Sequence, residues 1–268
     1  MKMAAIQMVS GTSVQANLEQ AANLLARAAA QGVELAVLPE YFCLMGLQDT
    51  DKLKIQEQFG TGPIQDFLSE STRKLGIWIV GGTLPLATTE ADRARNSSLA
   101  FDPRGRCVAR YDKIHLFRFE NGQESYDESS VLERGSDPVT FDLASIDGST
   151  YRIGMSICYD LRFPELYRKL KADILLVPSA FTFTTGQAHW EILLRARAIE
   201  NLACVLASAQ GGVHENSRRT WGHSMIVGPW GQILGEHAEG SGVVIAVVEK
   251  ETLQLARTRL PALNHVVL

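Results

Sequence analysis

Short apolar runs alternate with helix-patterned segments along almost the whole chain, and this alternation restricts the fold more than any other feature. "MAAIQMV", "VELAVLPE", "GIWIVGG", "YRIGMSI" and "ADILLVPSA" read as buried strands. Residues 14–31 carry apolar positions at helical spacing and stop before Gly32, while residues 62–75 begin Gly-Pro, which suits a first helical turn. "FPELYRKLK" and "GQAHWEILLRARAIENL" read as two more helices. The second puts Trp190, Leu193, Leu194 and Ala198 on one face and sets Glu191 to pair with Arg195. "SSLAFDPRGRCVARYDK" reads as a hairpin turning at Asp-Pro-Arg-Gly. "ACVLASA", "WGHSMIVGPWGQIL" and "GVVIAVVE" add strands, residues 250–259 a last helix, and residues 260–268 a tail. Residues 118–137 are polar and aperiodic, which predicts a long loop with a functional role. The pattern predicts an α/β fold in one domain over residues 1–268, its mixed sheets covered by helices.

A chain of 268 residues, 46% hydrophobic and 21% charged, can build such a core without disulfides. A net charge of -4 points to no nucleic-acid or membrane partner. No apolar stretch approaches the ~20 residues of a membrane span, and the start reads as a first strand, not a secretory signal. None of the cysteines Cys43, Cys107, Cys158 and Cys204 forms a C-x-x-C pair, and no His/Cys cluster has zinc spacing, so no metal is expected. Their number and context predict free thiols in a reducing, cytoplasmic setting. Cys107 and Cys204 fall within strand patterns and are expected to be small buried hydrophobes; Cys43, in a loop after Pro-Glu, stays open.

Cys158 needs a different account, because a strand pattern ends on it and Phe-Pro-Glu follows as if starting a helix. Ligands gather at the carboxyl ends of strands in such sheets. Glu40 follows "VELAVLP" and Lys113 follows "CVARYD", so three reactive side chains leave three strand ends. A thiol at a helix start gains partial positive charge and free N–H groups, which favour the thiolate and can hold an oxyanion, beginning with the Tyr159 N–H. Glu40 behind an apolar strand could serve as base, Lys113 as electrostatic support and Cys158 as nucleophile, a set suited to acyl transfer from a small amide. His115, near Lys113, is an alternative base. Taken singly, each has a plainer reading: Glu40 and Lys113 as solvated charges, Cys158 as a core residue.

The motifs around these residues are more specific. "LPEYF", "YDKIHLF" and "SICYDLRFPELY" resemble the three catalytic motifs of the nitrilase (carbon–nitrogen hydrolase) superfamily. "AFTFTTGQAHWEILLRARAIEN" and "WGHSMIVGPWGQIL" are similar to its amidase branch, and the resemblance runs in order from the first strand to about residue 255. It implies a four-layer αββα sandwich with Glu40 as general base, Lys113 as stabiliser, Cys158 as nucleophile, and an oxyanion site at the Tyr159 N–H. "SYDES" implies Glu128 as a second glutamate that positions substrate. It implies support of the lysine loop by His115 and an ion pair near the site for Arg162, with substrate-carboxylate binding the lesser role. Phe183 and Thr185 are expected in a pocket-lining loop, His189 and Trp190 in packing, and Arg195 and Arg197 on a polar helix face. The resemblance further implies no cofactor, and a homodimer or larger homo-oligomer with residues 163–171 and the tail as candidate contacts. The expected activity is hydrolysis of a small ω-amido acid, of the deaminated-glutathione type, to carboxylate and ammonia. Action on 2-oxo acid monoamides, N-carbamoyl hydrolysis, redox sensing and a non-catalytic interaction role are the alternatives.

Overall fold

A computed structural model of the protein describes residues 1–122 and 124–267; Gln123 of the expected loop and Leu268 of the tail lie outside the described residues. The chain runs through β1 (Lys2–Gln7), α1 (Val14–Ala29), β2 (Leu35–Val37), α2 (Asp51–Lys54), α3 (Pro63–Leu75), β3 (Trp78–Val80), β4 (Leu84–Ala87), β5 (Ala94–Phe101) and β6 (Cys107–Asp112). A small hairpin, β7 (Arg118–Glu120) with β8 (Ser125–Asp127), leads to β9 (Thr140–Ala144), β10 (Thr150–Met155), α4 (Pro164–Leu170), β11 (Ile174–Leu176), α5 (Phe183–Asn201) and β12 (Cys204–Ala207). A second hairpin of β13 (Gly211–Val213) and β14 (Arg219–Trp221) precedes β15 (Ser224–Val227), β16 (Ile233–His237), β17 (Gly242–Val247) and α6 (Lys250–Arg259).

The long strands form two mixed sheets. One has the order β17-β1-β2-β3-β5-β4, with β6 on β5; the other has the order β16-β15-β12-β11-β10-β9. Alternation along the strands sorts side chains between layers. Met3, Ala5, Leu35 and Val37 pack into the core shared with Ile153, Met155, Leu175 and Val205 of the second sheet. Their neighbours Ala4, Ile6, Ala36 and Leu38 face the other way, onto Leu24, Leu25, Ile64 and Leu68 of α1 and α3. Across the molecule, α4 and α5 bury Leu166, Tyr167, Trp190 and Leu194 against the second sheet. Helix, sheet, sheet, helix is the four-layer αββα sandwich.

Local signals explain the boundaries. Ser13 caps α1 through its side chain, and Gly32 turns with φ 75. Pro63 starts α3 and Gly76 ends it in the left-handed region. Several expectations change. Residues 118–137 hold the β7–β8 hairpin and a 3₁₀ turn, Glu128–Ser130, in place of a plain loop. Cys107 is exposed, because it begins β6, where the strand has left the core; Cys43 and Cys204 are buried. Arg197 is buried, donating to the Leu161 carbonyl at 2.7 Å and pairing with Glu200 at 2.9 Å, whereas Arg195 pairs with Glu191 at 3.0 Å as expected. No helix among the described residues is long and apolar enough to cross a membrane.

Candidate active site

Three strand ends deliver side chains to one cleft. β2 runs out through Leu38 and Pro39 to Glu40, whose backbone is pinned by Gln210 Nε2 donating to its carbonyl at 3.0 Å. β6 ends one residue before Lys113, and β10 ends three before Cys158. Glu40 and Lys113 are each only 1% exposed, and Cys158 is 7% exposed. Lys113 Nζ lies 2.8 Å from Glu40 Oε1 and 2.9 Å from Glu128 Oε1. The Cys158 thiol lies within the electrostatic reach of Glu40, Lys113 and Glu128. Glu40, Glu128 and Cys158 also line a common cleft of about 280 Å³ with Tyr159, Phe181 and Arg218.

Each carboxylate oxygen is engaged. Glu40 Oε1 also accepts from Asn96 Nδ2 at 2.9 Å, and Oε2 accepts from the Ala180 N–H at 2.8 Å. Glu128 accepts from the Tyr41 hydroxyl at 2.8 Å and the Phe117 N–H at 2.7 Å. Burial alone pushes the Lys113 ammonium down, but the charges of Glu128 and Glu40 outweigh it and hold it well above its ordinary value. Burial pushes Glu128 up; Lys113, the Phe117 N–H and Lys52 outweigh it, so its carboxyl sits below 4.5.

The thiol departs from the sequence expectation of an acidified cysteine. Burial first, then Glu40, raises Cys158 well above 9.0, against the opposing pull of Lys113. Cys158 starts a short 3₁₀ turn, Cys158–Arg162, not the α-helix, which begins at Pro164. Its own N–H is committed to the Pro178 carbonyl at 2.9 Å, while the Tyr159 N–H has no acceptor among the described residues. Cys158 (φ 49) and Tyr41 (φ 57), the residue after Glu40, both hold left-handed backbone. Such strain in non-glycine residues concentrates at functional sites.

The turn is held by Asp160, fully buried. Its Oδ2 accepts from the Ile157 N–H at 2.9 Å and the Tyr111 hydroxyl at 2.6 Å. Its Oδ1 accepts from the His115 N–H at 3.1 Å and lies 2.7 Å from His115 Nδ1. His115 therefore faces Asp160, its ring stacked on Phe163 at 3.7 Å, which suits support of the lysine loop and not general-base work. Thr185 and Arg162 line the cleft, but Phe183 does not. Thr182 caps α5, so Phe183 opens a helix instead of a loop and turns onto Trp221 and Arg219, leaving Phe181 at the cleft. Arg162 has no ion pair among the described residues; it reaches His189 Nδ1 at 3.3 Å and lies over the rings of Tyr159 and Phe181. His189 is exposed, and Trp190 is buried with its Nε1 donating to the His223 carbonyl at 2.8 Å. Among the described residues no group of three or more metal-ligating side chains is present.

The model of the carbon-nitrogen hydrolase family matches residues 2–258. The chain belongs to the carbon–nitrogen hydrolase family. A deaminated glutathione amidase of Yersinia enterocolitica is 39% identical over 98% of this chain and 92% of that protein. The structure of Saccharomyces cerevisiae Nit3, a member of branch 10 of the nitrilase superfamily, superposes with a TM-score of 0.85 at 30% identity, covering 97% of this chain and 94% of that one. A variant amidase from Nesterenkonia sp. AN1, showing Michael addition of acrylamide at its active site cysteine, superposes at 0.77 with 26% identity, covering 99% of this chain and 100% of that one. The protein is thus an enzyme, a hydrolase of carbon–nitrogen bonds on the nitrilase-superfamily fold. In this carbon–nitrogen hydrolase, sequence reasoning passed over Asp160, Asn96, Tyr41, Phe181 and Arg218. Asp160 had a signal, being a polar residue inside a motif; Asn96, in a polar run, had none, and Arg218 had none beyond its place in a basic run.

Proposed function

We propose that the protein is a cysteine amidase acting on the amide of a small ω-amido acid, of the deaminated-glutathione type. The convergence of the Cys158 thiol, Glu40, Lys113 and Glu128 in one buried cleft carries this reading. Glu40 takes the thiol proton as sulfur attacks the amide carbon. Lys113 and the Tyr159 N–H hold the oxyanion, each such donor being worth about 2.7–4 kcal/mol of barrier. Glu40 passes the proton to the departing nitrogen, which leaves as ammonia, or as an amine where the amide is substituted. A thioester remains, and water activated by Glu40 then releases the carboxylate. Glu128 orients the amide and fixes Lys113. Arg162 and Thr185 at the far wall would hold the acyl half. No step calls for a metal or organic cofactor.

Cys158→Ala is expected to lower turnover of deaminated glutathione by at least about 10⁴-fold, with an unchanged melting temperature; retained turnover refutes the mechanism. Faster turnover of 2-oxoglutaramate would favour omega-amidase action, and release of carbon dioxide with ammonia the carbamoyl reaction. We place the enzyme in the cytoplasm, on the strength of its unpaired cysteines. A homodimer or larger homo-oligomer suits the exposed Leu260, Val266 and Val267 of the tail; sedimentation of the intact chain tests it.

A further inference from the structure

The proton carried by Glu40 has two oxygens open to it by chemistry and one by geometry. A carboxylate offers two lone pairs on each oxygen. Oε1 has both filled: Lys113 Nζ donates at 2.8 Å and Asn96 Nδ2 at 2.9 Å. Oε2 has one filled, by the Ala180 N–H at 2.8 Å. The two oxygens also face different ways. Ala180 lines the cleft with Cys158, and its segment holds the Cys158 N–H through the Pro178 carbonyl at 2.9 Å. Asn96 and Lys113, 2% and 1% exposed, are buried away from the cleft and do not line it.

The sheet puts Asn96 in this place. It lies opposite Lys113, one step past the Ser97–Asp112 pair of β5 and β6, and takes the Lys113 N–H on its backbone carbonyl at 3.0 Å. Opposite residues of an antiparallel pair project to one face, so both donors reach the same oxygen. The side-chain amide is used on one side only: Nδ2 serves Glu40, while Oδ1 is buried without a partner among the described residues. A carboxylate oxygen only accepts, so the amide cannot turn its own oxygen toward Glu40. A bare buried carbonyl is a cost to the fold, and an aliphatic side chain of this size would not incur it. The donor at Oε1 is what asparagine supplies in return.

We infer that Asn96 is a positioning residue of the reaction: it closes Oε1 to the shuttled proton and confines that proton to Oε2, on the cleft side. The inference rests on Glu40 as the base of the amidase reading. As sulfur bonds to the amide carbon, the thiol proton goes to Oε2. It passes to the nitrogen as the carbon–nitrogen bond breaks and ammonia leaves. A proton of the attacking water then takes the same place, and it returns to sulfur as the thioester opens. With Asn96 gone, the proton can settle on Oε1, turned away from both sulfur and substrate.

Two variants test it. Asn96→Leu removes the donor and keeps the bulk, so kcat should fall about 10²-fold with KM little changed; an unchanged kcat overturns the inference. Iodoacetamide labelling of Cys158 needs no substrate. At neutral pH it should slow at least about tenfold in Asn96→Leu, because the proton path is lost. Loosened packing alone would expose the thiol and speed labelling, so an unchanged or faster rate overturns the inference. Asn96→Asp keeps the shape should Asn96→Leu not fold. Its new carboxyl donates only while it holds a proton, so its kcat/KM relative to wild type should fall as pH rises from about 5 to about 8; a flat ratio overturns the inference. Slowed labelling in Asn96→Leu with no amide turned over by wild type would sink the amidase reading alone.

Discussion

In the proposed mechanism the attacking sulfur starts as a thiol. Its value lies above 9.0 because burial and Glu40 both oppose the anion, so attack requires the proton to move as the bond forms. Alkylation of Cys158 by iodoacetamide should accordingly accelerate with pH without levelling off up to that ordinary thiol value; a plateau by about pH 7, the mark of a preformed thiolate, would contradict it. Asp160 works one step back. Asp160→Asn keeps the shape but cannot accept from the Ile157 and His115 amides and the Tyr111 hydroxyl alike. We expect a loss of about 1–3 kcal/mol in urea unfolding, with a fall in kcat and little change in KM. Local motifs made Glu40, Lys113 and Cys158 readable in the sequence, because each lies just past the end of a strand pattern. The partners were not readable: Asn96 reaches Glu40 from 56 positions away and Ala180 from 140. The thiol's direction of shift was misread for the same reason, since burial is a property of the assembled sandwich.

At the scale of elements, the strand–helix alternation was legible wherever a periodic face was long, as in α1, α3 and α5. Short pieces escaped it. β4, interrupted by Pro85, and β9, partly polar, lack the continuous apolar run that marked the others, and β7–β8 pairs Phe119 with Tyr126 amid polar residues. What positions Glu40 is a turn contact: an added Cβ on Gly82, whose φ is +47, would lie 2.0 Å from the Pro39 carbonyl oxygen. Gly82→Ala should therefore destabilise by about 2–4 kcal/mol and lower kcat in the fraction that remains folded. Wild-type melting with wild-type kcat would show that the turn yields without moving Glu40.

Across the whole molecule, buried carboxylates tie the layers. Asp173 holds Lys250 at 2.6 Å and Arg257 at 2.7 Å, fastening α6 to the base of the second sheet. Burial raises Asp173, but those cations and the Arg152 N–H outweigh it, and its value falls below 3.8. Glu128 is likewise held below 4.5. A lowered carboxylate contributes its full stability above the unfolded value and loses it as pH falls through the folded one. The urea midpoint should hold steady from neutrality to about pH 4.5, then drop below it, each proton taken up adding about 1.4 kcal/mol per pH unit. Asp173→Asn should flatten that drop; an unaltered slope would show that its pairs contribute nothing net.

Residues 177–180 touch both halves of the chemistry: the Pro178 carbonyl takes the Cys158 amide, and the Ala180 amide feeds Glu40. The rim at residues 44–49 and 214–217 bonds to neither. Selection for new amides would thus find a permissive margin surrounding a fixed hub, and successful variants should cluster in the margin while this four-residue brace stays constant.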